Sequence, residues 1–244
     1  MKILVFSAHA ADFCTRAGGT IAKHVQNGDT VYIICLSEGE RSESGGLYQE
    51  EAPSSLDEVR AIRQEEAANA AAILGAGIDF PGWNDLSFDC SVGLIRQLAD
   101  FIRAFAPDAV MTHHGPDPVS MDHERTWQLV VNAVQVATAP GLESDYAAVP
   151  RLPLFFFEAT VPLTELEGFN PDFYVDVTQT WDVKLQALQA FHRAQPFLEP
   201  WYTDVAKHRA AQARFITGST TIEYAEAFER MWPWVGQSLP LHEL

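Results

Sequence analysis

The fold is decided by a stretch near the amino terminus that reads Lys2-Ile3-Leu4-Val5-Phe6-Ser7-Ala8-His9-Ala10-Ala11-Asp12. Its apolar first half is typical of a strand that is buried on both faces of a parallel sheet. His9 and Asp12 follow directly, and open α/β sheets bind their ligands at the carboxyl ends of their strands. Imidazole and carboxylate both bind metals, so the stretch predicts either a metal site or a strand end with a solvated Asp.

The composition limits the class of protein. The chain has 244 residues, 47% of them hydrophobic, which predicts a single domain over residues 1–244 with a sizeable core. No apolar run approaches the roughly 20 residues that span a bilayer, and the amino terminus has one Lys and no small-residue cleavage signature. The three cysteines are widely separated, which predicts neither a disulfide framework nor a thiolate zinc site. These features favour a cytoplasmic protein that binds no membrane.

The charge balance restricts the partners further. Thirty-three acidic residues against sixteen basic ones give a net charge of -17, which repels nucleic acid and anionic membranes. Nucleic-acid binding is therefore not expected. The same charge opposes an acidic ligand, so an acidic substrate requires arginines close to the site. We also expect the chain to form a homo-oligomer.

Short apolar runs alternate with longer segments of helical period, which is typical of a parallel sheet covered by helices. The fold class predicted is α/β, with a Rossmann-like, mostly parallel sheet flanked by helices and further helices at the carboxyl end. The predicted strands are Ile3–Phe6, Val31–Leu36, Asp108–Thr112, Leu154–Ala159 and Phe173–Val177. The predicted helices are Thr15–Gln26, one from a capping box at Ser55 to a stop at Gly75, Val92–Phe105, His123–Val136, Trp181–Arg193, Tyr202–Phe215 and Thr221–Arg230.

Polar clusters follow three of the predicted strands. They are His9 with Asp12, the run Ser37-Glu38-Gly39-Glu40-Arg41, and His113-His114 leading to Asp117 and Asp122-His123. If the sheet is parallel, all three clusters lie on one rim. Two histidines and one aspartate suit zinc or a similar first-row ion and leave positions open for water and substrate, which favours a catalytic metal over a structural one.

An ordered set of motifs resembles a known superfamily. The motifs are Ser7-Ala8-His9-Ala10-Ala11-Asp12 with Gly18-Gly19, Gly39-Glu40-Arg41, Arg63-x-Glu65-Glu66-Ala67, Leu74-Gly75, Asp122-His123 and Tyr224-Ala225-Glu226. Together they resemble the LmbE/PIG-L superfamily of zinc-dependent N-acetylglucosaminyl deacetylases over essentially the whole chain. The resemblance implies that zinc, or another divalent first-row metal, is held by His9, Asp12 and His123.

The chain departs from the deacetylase pattern at two positions. The aspartate that serves those enzymes as general base falls on Ala11, and the histidine that stabilises the oxyanion falls on Ser120. Each such group contributes on the order of a hundredfold or more to amide hydrolysis. Simple deacetylation is therefore disfavoured.

One branch of the superfamily, the 4-oxalomesaconate hydratases of bacterial gallate catabolism, is similar at these positions. The similarity extends to Cys35-Leu36-Ser37-x-Gly39-Glu40-Arg41-x-Glu43-Ser44 and to Asp117-Pro118. The resemblance implies a zinc-dependent lyase that adds water to an unsaturated 2-oxo tricarboxylate and yields 4-carboxy-4-hydroxy-2-oxoadipate. A metal can stabilise the enolate that forms in such an addition, so no peptide-type oxyanion hole is required.

The remaining candidates are residues for binding and proton transfer. Guanidinium groups bind carboxylates in a bidentate manner, so the candidates for substrate binding are Arg41, then Arg63 and Arg16, each of which is otherwise a surface or helix-face arginine. Tyr224 is a further candidate that rests only on its place in a family-like motif.

Four residues are candidates for acid–base catalysis. Glu40 is either the proton carrier or the ion-pair partner of Arg41. Asp122 either orients His123, exchanges a proton or caps the following helix. His113 and His114 are candidates for a fourth ligand or an acid.

Three functional classes remain open. They are a metal-dependent hydratase of a small carboxylic acid, a zinc deacetylase of an N-acetyl sugar in which Glu40 or Asp122 replaces the missing base, and a non-catalytic binding module on the same fold. The intact set of ligands disfavours the binding module, and Ala11 and Ser120 favour the hydratase over the deacetylase.

Overall fold

One sheet forms the centre of the molecule. The computed structural model describes residues 1–50, 55–158, 160, 164–233 and 235–237. The strands found there are β1 (Lys2–Ser7), β2 (Thr30–Cys35), β3 (Gly77–Asp79), β4 (Ala109–His113), β5 (Leu154–Phe157), β6 (Phe173–Asp176) and β7 (Ala225–Arg230). Their order is β3-β2-β1-β4-β5-β7-β6. The first five are parallel and β7 runs antiparallel to both neighbours, which confirms the mostly parallel sheet.

Helices cover both faces of this sheet. They are α1 (Asp12–Gln26), α2 (Gly45–Glu50), α3 (Leu56–Leu74), α4 (Val92–Phe105), α5 (Met121–Ala137), α6 (Trp181–Gln189) and α7 (Leu198–Thr217). Alternate side chains of β1 enter different cores: Ile3 and Val5 pack with α1, α3 and α6, whereas Leu4 and Phe6 pack with α4 and α5. Burial on both faces explains why β1 is a continuous apolar run.

The predicted boundaries of α3 are confirmed. The hydroxyl of Ser55 accepts a hydrogen bond from the backbone N–H of Glu58 at 3.2 Å, which satisfies one of the free donors of the first turn. At the other end Gly75 adopts a φ of 79°, a left-handed conformation that glycine reaches without steric cost.

One predicted element is wrong. The segment Thr221–Arg230 was expected to be a helix, but residues 225–230 form strand β7. Its Ala, Glu and Arg residues favour a helix locally, yet the segment pairs with β5 on one side and β6 on the other, and these ladders outweigh the local preference. The helix predicted over Trp181–Arg193 ends earlier, at Gln189. The strand predicted over Leu154–Ala159 corresponds to β5, and its predicted end, Ala159, lies outside the described residues.

Among the described helices none combines the length and apolarity that crossing a bilayer requires. The three cysteines are unpaired, and Cys14 and Cys35 are buried.

The topology places the polar clusters on one rim. Strand β1 lies between β2 and β4, and the three are parallel, so their carboxyl ends point the same way. The segments that follow these strands carry His9, Glu43 and His123 toward one another. Helix α1 begins at Asp12, directly behind the first of them.

Candidate metal centre and active site

Four side chains converge on the rim with the spacing of metal ligands. The Nδ1 atom of His9 lies 3.5 Å from Asp12 Oδ2 and 3.3 Å from Glu43 Oε1. The Nε2 atom of His123 lies 3.5 Å and 3.7 Å from the same two oxygens. Ligands at about 2.0–2.2 Å from a tetrahedral zinc ion lie roughly 3.3–3.6 Å from one another. The four donors therefore enclose a space that suits a zinc-sized cation.

The two imidazole rings are oriented by carboxylates on their far sides. The Nδ1 of His123 lies 2.6 Å from Asp117 Oδ2, which leaves its Nε2 for the cluster. The Nε2 of His9 lies 3.3 Å from Asp85 Oδ1 and 3.5 Å from Asp122 Oδ2, which leaves its Nδ1. Carboxylates of this kind fix the tautomer of metal-ligating histidines. Both ring nitrogens of His9 and the Nε2 of His123 are buried without a hydrogen-bond partner. The Nδ1 of His9 and the Nε2 of His123 face the cluster, which fits a role as ligands.

Asp12 is held in place by its own helix and by the turn before it. Its Oδ2 accepts a hydrogen bond from the backbone N–H of His9 at 2.8 Å, and its Oδ1 accepts one from Arg16 Nη1 at 2.5 Å. Burial raises the pKa of Asp12, but Arg16, His123 and His113 outweigh it and hold this pKa well below its ordinary value. Asp12 is therefore ionised, as a ligand must be.

The electrostatics of the cluster favour a cation. Burial lowers the pKa of His9, but Glu43, Asp12, Asp122 and Asp85 more than compensate and raise this pKa well above its ordinary value. The pKa of His123 is also raised, because Asp12 and Asp117 outweigh the effect of burial. Two buried histidines that attract protons in this way mark a region of negative potential, which a divalent ion would neutralise.

Two of the predicted acid–base residues lie next to the cluster. Asp122 is fully buried beside His9, and its Oδ2 accepts a hydrogen bond from the backbone N–H of Leu86 at 2.7 Å. It caps no helix, because the hydroxyl of Ser120 caps α5. His113 stacks on His123, and its Nε2 accepts a hydrogen bond from the backbone N–H of Ala8 at 3.0 Å.

The protonation state of His113 follows from its surroundings. Burial and the neighbouring charge of His123 lower its pKa to about 3. His113 is therefore neutral at pH 7, and its Nε2 is already engaged as an acceptor. Its catalytic role, like that of Asp122, stays a prediction.

The other two acid–base candidates are directed elsewhere. Glu40 is buried, and its carboxylate pairs with Arg41 and with Arg60. The Nδ1 of His114 lies 3.3 Å from Glu229 on β7, away from the four donors. Both roles stay predictions, and the structure does not bring either side chain into the cluster.

The four predicted substrate-binding residues are dispersed. Arg16 lies against the cluster through Asp12. Arg41 is half exposed and pairs with Glu40, and Arg63 is fully buried one layer behind the cluster, where it contacts Glu66. Tyr224 stacks on Trp181 with ring centroids 4.2 Å apart. Its role stays a prediction, and it is not joined to the site.

A cavity of about 590 Å³ opens above the cluster. Asp12, Glu43 and Arg16 line it, and so do Gln195, Trp201 and Tyr202 from the carboxyl-terminal part of the chain. Among the described residues that line it, Arg16 is the one arginine or lysine. Ala11 and Ser120, the two positions that depart from the deacetylase pattern, also face this cavity.

Glu43 and Asp117 were not predicted as site residues from the sequence, and Asp85 was considered only for its place in a family-like motif. Glu43 lies beside the three predicted ligands, and Asp117 orients His123. Asp85 faces His9 and accepts hydrogen bonds from the backbone N–H groups of Arg41 and Ser42 at 2.8 and 2.7 Å. The available signal was their place in loops after β2, β3 and β4. Such loops carry many carboxylates, and only the folded chain shows which of them meet.

Comparisons with known proteins agree with this geometry. The family model for GlcNAc-PI de-N-acetylase, PIG-L, matches residues 4–134, more than half of the chain. The 4-oxalmesaconate hydratase of Pseudomonas putida KT2440 is 36% identical over 239 residues, which cover 97% of this chain and 91% of that protein. 

Solved structures extend the likeness to the fold. GalB, the 4-carboxy-2-hydroxymuconate hydratase of Pseudomonas putida KT2440, superimposes with a TM-score of 0.91 at 36% identity and covers 98% of this chain and 99% of its own. The N,N'-diacetylchitobiose deacetylase of Pyrococcus horikoshii shares the fold, with a TM-score of 0.76, 22% identity, and 94% and 83% of the two chains covered. The chain belongs to the PIG-L (LmbE-like) family.

Proposed function

We propose that this protein is a metal-dependent hydratase that converts 4-oxalomesaconate to 4-carboxy-4-hydroxy-2-oxoadipate. The observation that carries the proposal is a metal-sized donor cluster in a cavity where Ala11 and Ser120 replace the two deacetylase groups. The likeness to two hydratases over nearly the whole chain supports it. Their substrates, 4-oxalmesaconate and 4-carboxy-2-hydroxymuconate, are keto and enol tautomers of one acid.

The proposed metal ligands are His9, Asp12 and His123. Three protein ligands leave a position open, as catalytic sites require. Zinc suits this set, because its preferred donors include imidazole nitrogen and carboxylate oxygen. When bound, such a cation would polarise a carboxylate oxygen that is conjugated with the reacting double bond and so stabilise the negative charge that develops as water adds.

Glu43 is the carboxylate best placed to move the proton. Its side chain is 20% exposed, whereas those of His9, Asp12 and His123 are 1% exposed, and it lines the cavity. Burial and the charge of Asp12 raise its pKa, but His9 and His123 outweigh them and lower it, so that Glu43 is ionised and able to accept a proton.

The reaction adds one water molecule across one carbon–carbon double bond. Glu43 accepts a proton from the water whose oxygen bonds to the substrate carbon at position 4, and a proton is delivered to the carbon at position 5. Catalysis of this kind contributes roughly 10²- to 10⁴-fold to a rate. Neither Ala11 nor Ser120 is required for it.

Arg16 is the proposed partner of a substrate carboxylate. Its Nη1 is held by Asp12 and by Thr15 Oγ1, whereas its Nη2 donates to none of the described residues. The guanidinium group also lies over the ring of Tyr202, 6.0 Å from its centroid. A fixed guanidinium group beside the cluster supplies the local positive charge that a chain of net charge -17 needs.

The test is a parallel assay of zinc-loaded protein on 4-oxalomesaconate and on an N-acetylglucosaminide. We expect hydration and no appreciable deacetylation. Deacetylation at enzyme-like rates without hydration would refute the proposal. Glu43→Gln should lower kcat by roughly 10²- to 10⁴-fold and retain the metal, and Glu40→Gln and Asp122→Asn test the two predicted alternatives on the same scale.

The setting of the enzyme is part of the proposal. We place it in the cytoplasm, where a catabolic hydratase of small acids meets its substrate, and propose that it acts as a homo-oligomer. Three unpaired cysteines are consistent with a reducing compartment.

A further inference from the structure

The lining of the cavity includes a fixed amide. Gln195 lies between α6 and α7, is 7% exposed and lines the cavity. Its Oε1 accepts a hydrogen bond from Arg63 Nη2 at 2.7 Å. Because a guanidinium group can only donate, the atom that faces it is the oxygen, and this contact sets the orientation of the amide.

The support behind Gln195 is rigid. Arg63 is fully buried and donates to Glu66 Oε2 at 2.6 Å and to the carbonyl of Glu38 at 3.3 Å. The backbone beside Gln195 is also held, because the N–H of Gly46 donates to the carbonyl of Ala194 at 2.9 Å. A Cβ at position 46 would lie 2.3 Å from the carbonyl oxygen of Arg193, so this close approach requires glycine.

The other half of the amide is available. The Nε2 group of Gln195 donates to none of the described residues, and the residue lines the cavity. Two N–H donors are therefore available in the lining of the cavity without adding a second cation to it.

We infer that Gln195 is a specificity-determining residue that binds a substrate carboxylate distal to the 2-oxo group, and that Arg63 positions it. The inference rests on the proposed function for the class of substrate. It also gives Arg63 a role different from the predicted one: Arg63 acts through Gln195 and does not itself contact the acid.

The test uses two stable acids that differ only in the distal carboxylate, 2-oxoglutarate and 2-oxopentanoate. Their affinities for the zinc-loaded protein are measured by calorimetry, which requires no turnover. A failed hydration assay would therefore refute the proposed function without deciding this inference. We expect the parent protein to bind 2-oxoglutarate at least about tenfold more tightly, because a hydrogen bond to a charged group has that effect.

Gln195→Glu is the decisive variant. The new carboxylate still accepts from Arg63, so we expect no loss in the melting temperature, but it presents an oxygen where the parent presents N–H donors. We expect the affinity for 2-oxoglutarate to fall by about tenfold or more, and that for 2-oxopentanoate to change by less than about threefold. Gln49→Glu is the charge control, because residue 49 is exposed at the edge of the same cavity. The ratio of its affinities for 2-oxoglutarate and 2-oxopentanoate should stay within about threefold of the ratio for the parent protein.

Arg63→Lys tests the positioning role. A lysine cannot donate to Gln195, Glu66 and the Glu38 carbonyl with the fixed geometry of a guanidinium group. We expect the preference for 2-oxoglutarate to shrink in this variant while the affinity for 2-oxopentanoate is retained. The inference is overturned if the parent shows no preference, if Gln195→Glu weakens both acids equally or neither, or if Gln49→Glu reproduces its effect.

Discussion

Replacing Asp117 with asparagine should weaken zinc binding although Asp117 is not a proposed ligand. Its Oδ2 holds the Nδ1–H of His123 at 2.6 Å and accepts from Thr160 N and Oγ1 at 3.0 Å each. Its Oδ1 accepts from the backbone N–H groups of Val119 and Ser120 at 2.8 and 3.0 Å. Asparagine keeps the hydrogen bonds that Oδ1 accepts from Val119 and Ser120. It places an N–H₂ group where Oδ2 accepts hydrogen bonds from His123 and Thr160.

The magnitude follows from that exchange. To avoid facing a donor, His123 must take the other tautomer, in which Nδ1 accepts and Nε2 carries the proton, and a protonated Nε2 cannot bind a metal. In the variant the ligating tautomer lacks the hydrogen bond that the parent makes to the charged Asp117 carboxylate, which is worth about 1.5–3 kcal/mol. Changes to such carboxylates typically cost about 10- to 100-fold in metal affinity, or about 1.4–2.8 kcal/mol.

The assay is competition for zinc between the protein and a chromogenic chelator of known affinity at constant pH. Asp176→Asn is the matched control, because Asp176 Oδ1 accepts from Thr178 N and Oγ1 at 2.9 and 2.6 Å in a comparable turn remote from the cluster. We expect the control to bind zinc as the parent does. Zinc affinity of Asp117→Asn within about twofold of the parent would refute the assignment of His123 Nε2 as the ligating atom and of Asp117 as its orienter.

Three further predictions follow from the same geometry. The pKa values of His9 and His123 are raised, and both imidazoles must be neutral to bind metal. Zinc affinity should therefore rise between pH 6 and 8, by up to about one decade per pH unit for each proton displaced. A zinc affinity that does not change with pH in the chelator assay would contradict this prediction. Ala11→Asp restores the deacetylase base and should raise any trace release of acetate from an N-acetylglucosaminide, measured against the parent; no increase would show that the base alone is insufficient. Burial raises the pKa of Cys14 to about 12, so a thiol reagent should modify the partly exposed Cys90 in the native protein and leave Cys14 unmodified until denaturant is added, as peptide mapping would show.

The local sequence predicted four of the five parallel strands and most of the helices, but it did not predict strand β3 (Gly77–Asp79) or helix α2 (Gly45–Glu50). Strand β1 reads as a buried run, and Ser55 and Gly75 mark the ends of α3 through contacts within a few residues of the chain. The segment Ala225–Arg230 was mispredicted because its conformation depends on pairing with β5 and β6, which lie far away in sequence. Whether such a segment forms a strand depends on the strands with which it pairs.

The residues of the site likewise fall into those that the sequence predicted and those that only the tertiary structure shows. The sequence predicted His9, Asp12 and His123 as ligands from their residue types and from motifs that resemble those of a metalloenzyme superfamily, and the structure brings the three side chains together. Only the tertiary structure decided that Glu43 joins them, that Glu40 turns toward Arg41 and Arg60, and that Asp117 orients His123. Loops on this rim offer several carboxylates of equal chemistry within a few residues of one another. Backbone geometry and contacts between distant segments determine which carboxylate lies beside the predicted ligands. The local sequence specifies neither of them.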